Sequence, residues 1–268
     1  MELHELAVLG GFILLVAVML AFDIGIFNKK SHEVKFREAL AYTILWVTVA
    51  LIFWGLIYFF GHFLHGIEDM DHLKEVVHTY GHKINLVEGD FEKSLAIYRR
   101  NLGLEYITGY IIEYSLSVDN IFVILMIFIS FGVEKKYYHK VLFWGILGAI
   151  VMRFLFIFLS SALIQKFDWI LYFFGGLLIF TAIKLFLDRN KEEKIDTNNH
   201  FVVKFAARFF RVDERDNSGR FFTKKNGKRY VTALFVVVLV IEVSDVIFAV
   251  DSVPAIFSIT KDPFIVYF

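Results

Sequence analysis

Long apolar stretches alternate with short polar segments along the whole chain. A membrane-spanning helix needs about 20 consecutive, mostly apolar residues, and six stretches match that pattern. They cover residues 6–27, 39–61, 102–132, 141–164, 169–187 and 230–260, and the start of a seventh lies at 264–268. The pattern predicts an all-α fold, a polytopic transmembrane helical bundle that forms a single transmembrane domain over residues 1–268.

The composition supports this prediction. Of the 268 residues, 57% are hydrophobic, whereas a soluble globular domain is about 45–50% apolar. The formal net charge is +0, so no charge bias points to nucleic acid. Cysteine is absent, which excludes disulfides and zinc–thiolate sites within these residues. No basic region precedes the first apolar stretch and no cleavage motif follows it, so we interpret Leu6–Phe27 as a retained span.

Basic residues predict the orientation in the membrane. They cluster in segments 28–38, 133–140 and 188–229, and the positive-inside rule places such segments in the cytoplasm. The N-terminus then lies outside, 188–229 forms a long cytoplasmic loop, and 62–101 is external. The external segment holds five of the nine histidines, His62, His65, His72, His78 and His82. We interpret it as a solvated acidic loop, with a cation-collecting surface as the alternative.

Carboxylates lie inside two of the predicted spans. The third span contains Glu113 and Asp119, and the sixth contains Glu242, Asp245 and Asp251. A charged group at membrane depth is costly and marks a functional site by default, because it must face a cavity or a partner. These acids are therefore the main candidates for function.

Two of the acidic segments resemble one another. In 113–120 and in 245–252, two acids stand six residues apart, a valine precedes the second acid, and a small polar residue, Asn120 or Ser252, follows it. The predicted topology makes the two spans run in opposite directions. Similar antiparallel segments indicate inverted repeats, and transporters place their binding sites at such repeat interfaces.

Helical geometry predicts an interruption in both spans. Six residues of a regular helix turn through about 600°, so Glu113 and Asp119 point about 120° apart. Both acids of a motif can face one site only if the helix unwinds between them. Pro254 supplies a cause in the sixth span, because proline removes a backbone hydrogen bond. We therefore predict two broken helices carrying acidic motifs, interrupted near 115–120 and 249–254.

The side chains of these motifs offer oxygen ligands. Carboxylates, an amide and a hydroxyl suit Mg²⁺, Ca²⁺ or Mn²⁺ better than copper or zinc. The predicted ligands are Glu113, Asp119, Asn120, Asp245, Asp251, Ser252 and Glu242, and the predicted second-layer or pathway residues are Asp23, Ser117 and Arg153. The alternative is a purely structural polar network in which Arg153 neutralises one acid and the other acids are protonated.

These motifs resemble the TerC family of bacterial membrane proteins, within the wider LysE-like transporter superfamily. The stretches that carry the resemblance are 113–123, 141–148, 241–257, 260–267, and Asp23–Phe27 with its following basic loop. The resemblance implies a multi-pass protein of the bacterial inner membrane that exports manganese through the acids of the two motifs. It also implies links to tellurium resistance or alkaline-pH response in some members, and further spans beyond the last matching stretch.

Three functions remain to be weighed. The first is a non-enzymatic transporter that exports divalent cations, with Mn²⁺ as the cation that the resemblance implies. It would have no resident cofactor, and protons are a candidate counter-ion. The second is a membrane stress-response or tellurium-resistance scaffold that binds metal without moving it. The third, an intramembrane aspartyl protease, is disfavoured because the Gly-x-Gly-Asp motif of that class is absent. The driving ion, the selectivity among divalent cations and the oligomeric state stay open.

Overall fold

The computed structural model describes residues 3–27, 36–167, 169–188, 203–204, 208, 210–213, 219–225 and 227–267. Within these ranges the side chains of 3–6, 20–27, 165, 185 and 188 lie outside the description. The helices are α1 (Leu3–Phe27), α2 (Phe36–Phe60), α3 (Met70–Tyr80), α4 (Phe91–Ser130), α5 (Lys135–Lys166), α6 (Trp169–Asp188), α7 (Ala233–Phe257) and α8 (Pro263–Tyr267). The strands are β1 (Val212–Asp213), β2 (Phe222–Lys225) and β3 (Lys228–Thr232).

Each of the six predicted spans corresponds to one long helix. Helices α2, α4, α5 and α7 are long and apolar enough to cross a membrane, whereas α1 and α6 carry shorter apolar stretches among the described side chains. Large apolar side chains such as Leu14, Ile52 and Phe122 are exposed on these helices, as expected for surfaces that contact lipid. The prediction of an all-α, polytopic membrane protein is confirmed.

The prediction of two broken helices is wrong. Helix α4 is continuous over Phe91–Ser130 and α7 is continuous over Ala233–Phe257. Segment 112–130 of α4 contains neither glycine nor proline, so nothing in its sequence disrupts the helical hydrogen bonds. Pro254 lies in the last turn of α7, where a missing backbone donor affects few remaining bonds.

The chain divides into two compact units, and the boundary falls within α4. Unit 1 comprises Met1–Ile111 and Ile259–Phe268, and unit 2 comprises Ile112–Ser258. The core of unit 1 is formed by buried apolar side chains from α2, α3, α4, α8 and the turns between them, namely Ile57, Ile67, Leu73, Val76, Leu95, Tyr98, Leu102, Tyr106 and Ile265.

Part of the predicted external loop of unit 1 is folded rather than simply solvated. Helix α3 begins after Asp69, whose side chain accepts a hydrogen bond from the backbone N–H of His72 at 2.8 Å. It ends at Gly81, which has a φ of 63°, a conformation that glycine adopts without steric cost. The later part of this segment, from Phe91, is already α4.

In unit 2 the second half of α4 packs against α5 in an antiparallel hairpin. Near the connection the rings of Phe128 and Tyr138 stack with centroids 4.3 Å apart, and further along Glu113 meets Arg153. The core of this unit is formed by buried residues of α4, α5 and α7, namely Ile127, Phe128, Val141, Leu234, Val236, Val237, Val240 and Ile241.

A small three-stranded sheet lies in the predicted cytoplasmic loop, where the sequence reading contained no strand. The strand order is β1-β3-β2, with β1 parallel and β2 antiparallel to β3. An Asn-Gly pair joins β2 to β3, and Gly227 has the positive φ of 76° that tight hairpin turns require. Strand β3 leads directly into α7 at Ala233, so the sheet fixes the start of that helix. Within this loop, residues 189–202, 205–207, 209, 214–218 and 226 lie outside the description.

Candidate functional site

The two helices that carry the acidic motifs run in opposite directions. Gly145 of α5 lies against Ile241 of α7, and Arg153, two turns further along α5, meets Asp245 on α7. Helices α5 and α7 are therefore parallel, and α4 is antiparallel to α5. The antiparallel relation of α4 and α7 is the one that an inverted repeat requires.

Arg153 joins the first acid of each motif. One guanidinium nitrogen, Nη1, donates to Oε1 of Glu113, while Nη2 and Nε lie 3.3 Å and 3.4 Å from the two carboxylate oxygens of Asp245. The exposed fractions of the Arg153, Glu113 and Asp245 side chains are 27%, 28% and 16%. The structure therefore brings one acid from α4 and one from α7 into a single, largely enclosed cluster with a basic partner from α5.

Two oxygens of the motifs are buried without a hydrogen-bond partner among the described residues. They are Oε2 of Glu113 and the hydroxyl oxygen of Ser252. Leaving a buried polar oxygen unsatisfied costs about 1–3 kcal/mol, so such atoms are rare in folded proteins unless they serve a ligand or a water. Both are hard oxygen donors of the type that divalent cations prefer.

Glu242 places a third carboxylate beside the cluster. It precedes Asp245 by three residues and is half-buried, and residues three apart on a helix share a face. Its carboxylate lies against the backbone of α5 at Gly148, where an added Cβ would overlap both carboxylate oxygens. Gly148 therefore makes room for Glu242 between α5 and α7.

Asp251 lies at a separate position along α7. Its Oδ1 accepts a hydrogen bond of 3.1 Å from the hydroxyl of Thr181 on α6. Six residues of helix correspond to about 9 Å along the axis, so Asp251 stands well beyond Asp245. Ser252 is buried and lies almost two full turns after Asp245, on nearly the same face of α7.

The structure does not bring Asp119 to the other acids. Because α4 stays regular, Asp119 keeps its direction about 120° from Glu113, and its side chain is exposed beside Ile121 and Phe122. Ser117 and Asn120 are half-buried and share the face of Glu113. The side chain of Asp23, on α1, lies outside the described residues.

The arrangement seen in unit 2 is an acid–arginine cluster rather than a formed metal site. Among the described residues, no group of three or more His, Cys, Asp or Glu side chains is positioned to hold a metal ion. Arg153 lies where a cation would contact Glu113 and Asp245. The donor atoms themselves, carboxylates and a hydroxyl, have the chemistry of a site for a hard divalent cation.

Unit 1 contains a second polar cluster, which the sequence analysis missed. Nε2 of His65 lies 2.9 Å from Oδ2 of Asp262, and Nδ1 of His82 lies 2.9 Å from Oε1 of Glu105. Asn101 also donates to that Glu105 oxygen at 2.6 Å. His65, His82, Glu105 and Asp262 are all buried, so two of the five histidines of the predicted external segment are internal rather than solvated.

Asp262 also begins the last helix. Its Oδ1 accepts a hydrogen bond of 2.9 Å from the backbone N–H of Phe264, and Pro263 occupies the first helical position, where its missing donor costs nothing. Burial raises the pKa of Asp262, but His65, His82 and the Phe264 N–H together lower the pKa below its ordinary value. The Asp-Pro pair is the signal in the sequence that marks this cap.

The chain is similar in sequence to several known membrane proteins. The chain is 40% identical over 258 residues to an uncharacterized membrane protein of Myxococcus xanthus, covering 96% of this chain and 68% of that protein. It is 38% identical over 258 residues to a protein of Escherichia coli (strain K12) named "Putative membrane-bound redox modulator Alx", covering 96% of this chain and 71% of that protein.

A membrane protein of Rickettsia bellii is 32% identical over 260 residues, which cover 96% of this chain and 72% of that protein. No solved structure matches the chain. The family described as "Integral membrane protein TerC family" matches residues 98–268, which include most of α4, all of α5 to α8 and both acidic motifs. The chain is therefore a member of the TerC family of integral membrane proteins.

Proposed function

We propose that this protein exports divalent cations, with Mn²⁺ as the principal cargo, through the carboxylates of α4 and α7. One observation carries the proposal: Glu113 and Asp245, the first acids of the two motifs, meet at Arg153 within helices apolar enough to span a membrane. Acids at such depth are expensive to retain for packing alone. Their placement on antiparallel helices with similar motifs matches the organisation of inverted-repeat transporters.

The chemistry of the cluster fits a hard divalent cation. Glu113, Asp245 and Glu242 supply up to six carboxylate oxygens from α4 and α7, and Oε2 of Glu113 has no hydrogen-bond partner among the described residues. Mn²⁺, Mg²⁺ and Ca²⁺ all favour such ligands. Because carboxylates must be deprotonated to bind a metal, cation binding releases protons and weakens in acid. Protons are therefore the natural counter-ion.

Oxygen ligands also follow one another along α7. Glu242, Asp245, Asp251 and Ser252 extend over ten residues, or about 15 Å of helix, which is half the thickness of the hydrocarbon core. Movement of an ion requires several sites that each bind it moderately. This succession favours a path for an ion over a single storage site. Asn120, which shares the face of Glu113 on α4, is proposed to line the other half of the path, whereas Asp119 is exposed on another face of the same helix.

The test is Mn²⁺ counterflow into proteoliposomes that contain the purified protein. Glu113→Gln and Asp245→Asn should each reduce counterflow at least about tenfold, because each removes a ligand charge while keeping the shape of the side chain. Asp71→Asn is the control, since Asp71 is 96% exposed on α3 and should leave counterflow unchanged. Normal counterflow in both Glu113→Gln and Asp245→Asn would remove the cluster from the proposed path.

The alternative is a membrane component that binds metal without moving it, in stress response or tellurium resistance. The name of the Alx relatives, a redox modulator, belongs to this class. Thiol–disulfide exchange within these 268 residues is excluded, because they contain no cysteine. Saturable Mn²⁺ binding by the purified protein without counterflow would favour this alternative over export.

A further inference from the structure

We propose that Arg153 is a tethered counter-cation, which holds the carboxylates of Glu113 and Asp245 in the cation-free protein and is displaced when a divalent cation binds. The inference rests on the proposed function and assigns a role to the one basic residue of the cluster. Arg153 would be a positioning residue for the empty site and a competitor of the cargo, not one of its ligands.

The contacts of Arg153 make it a direct competitor. Its Nη1 bonds to Oε1 of Glu113, and its Nη2 and Nε lie 3.3 Å and 3.4 Å from the two oxygens of Asp245. A divalent cation bridging α4 and α7 would need these same carboxylates. The cation and the guanidinium cannot occupy the space between them together, because both carry positive charge and both need the same lone pairs.

The charge of the cluster favours exchange over simple addition. With Glu113 and Asp245 ionised, one guanidinium leaves a net charge of −1, and an ionised Glu242 one turn away increases it to −2. A divalent ion neutralises the cluster more completely than Arg153 does. The cluster therefore has a reason to release Arg153 to a stronger cation, while Arg153 prevents the empty site from holding uncompensated carboxylates in an apolar surrounding.

Arginine suits this role because it cannot lose its proton. The guanidinium group stays protonated in proteins, so Arg153 must leave the cluster still charged, by rotation of its long side chain. The Arg153 side chain is 27% exposed, so it is not sealed in the core. Lysine could keep the charge but not the two-pronged contact with Asp245.

Equilibrium binding of radioactive Mn²⁺ to the detergent-purified protein tests the inference, together with Mn²⁺ counterflow. Arg153→Gln should bind Mn²⁺ about tenfold or more tightly, because the positive charge that competes with the metal for Glu113 and Asp245 is removed. Its counterflow should fall by a similar factor, because release becomes slow. Arg153→Lys should stay within about threefold of the wild-type affinity, since the competing charge remains. Arg229→Gln is the control and should behave as wild type, because the Arg229 side chain is exposed on β3.

A paired variant separates charge competition from damage to the fold. In Arg153→Gln combined with Glu113→Gln, one acid and its counter-charge are removed together, so the protein should remain monodisperse and bind Mn²⁺ no more tightly than wild type. If the wild type binds and exchanges Mn²⁺ but a folded Arg153→Gln variant binds it no more tightly, the role of Arg153 is overturned and the proposed function is not. A wild type that neither binds nor exchanges Mn²⁺ would overturn the proposed function instead.

Discussion

The contact between Gly148 and Glu242 allows a single methyl group to test the geometry of the cluster. A Cβ at position 148 would overlap Oε1, Oε2 and Cδ of Glu242. In Gly148→Ala the Glu242 carboxylate therefore has to leave the surface of α5, while Arg153, Glu113 and Asp245 keep their own side chains. The variant moves one proposed ligand without removing any charge.

The expected change in stability is a small difference between two opposing effects. Alanine in place of glycine inside a helix contributes about 0.5–1 kcal/mol of stability. Overpacking a buried contact costs about 1–3 kcal/mol, but the half-buried Glu242 can avoid part of that cost by rotating. The free energy of unfolding should therefore change by about 1 kcal/mol or less. The control, Gly175→Ala on α6, has nothing within 4 Å of the added Cβ and should show the stabilising effect only.

Thermal unfolding of the purified protein is monitored by size-exclusion chromatography. Mn²⁺ binding and Mn²⁺ counterflow are measured on the same variants. Gly148→Ala should unfold at a lower temperature than Gly175→Ala and should lose several-fold in Mn²⁺ affinity. Glu242→Asp in the Gly148→Ala background should recover part of that affinity, because the shorter side chain retracts its carboxylate from the new methyl. Wild-type affinity in Gly148→Ala, together with the same stabilisation as Gly175→Ala, would refute the contact and its role.

Three further predictions address the motifs, the second cluster and the topology. Asp251→Asn should reduce Mn²⁺ counterflow more than Asp119→Asn, because Asp251 is held by Thr181 whereas Asp119 is exposed. An equal loss in the two variants would show that the matching positions in the two motifs matter more than the exposure of Asp119. Asp262→Asn should lower the free energy of unfolding at neutral pH by about 1–3 kcal/mol, because it removes the charged acceptor of the buried hydrogen bonds with His65 and the Phe264 N–H. Because the folded pKa of Asp262 is lowered, its stabilisation is present above the unfolded pKa and is lost as pH falls through the folded pKa, so the variant should lose less stability in acid than wild type does. The cysteine-free chain also allows single-cysteine labelling: an impermeant maleimide added outside cells should react with Asp71→Cys and not with Lys228→Cys, and the reverse result would invert the predicted orientation.

The helices themselves were largely predictable from local sequence. The start of α6 at Trp169 and the end of α1 at Phe27 match the predicted bounds, because the length of an apolar stretch and the polar residues at its ends decide where a helix can lie in a bilayer. Helix α4 was predicted too short, since its first turns, from Phe91, carry the polar residues of a helix that extends beyond the apolar core. The strands were missed because their hairpin depends on pairing between β2 and β3 rather than on hydropathy.

In the candidate site, too, some features follow from local sequence and others only from packing between helices. The sequence by itself determined which helices carry acids, that the two motifs match, and that α4 and α7 run in opposite directions, because each of these is a property of one segment or of the loop charges beside it. The tertiary structure alone decided which acids meet: Arg153 reaches Glu113 across 40 residues and Asp245 across 92, and Asp119 faces outward because α4 does not unwind. Those outcomes depend on the rotation of each helix against its neighbours, and that rotation is set by the packing of the whole unit rather than by any one stretch of residues.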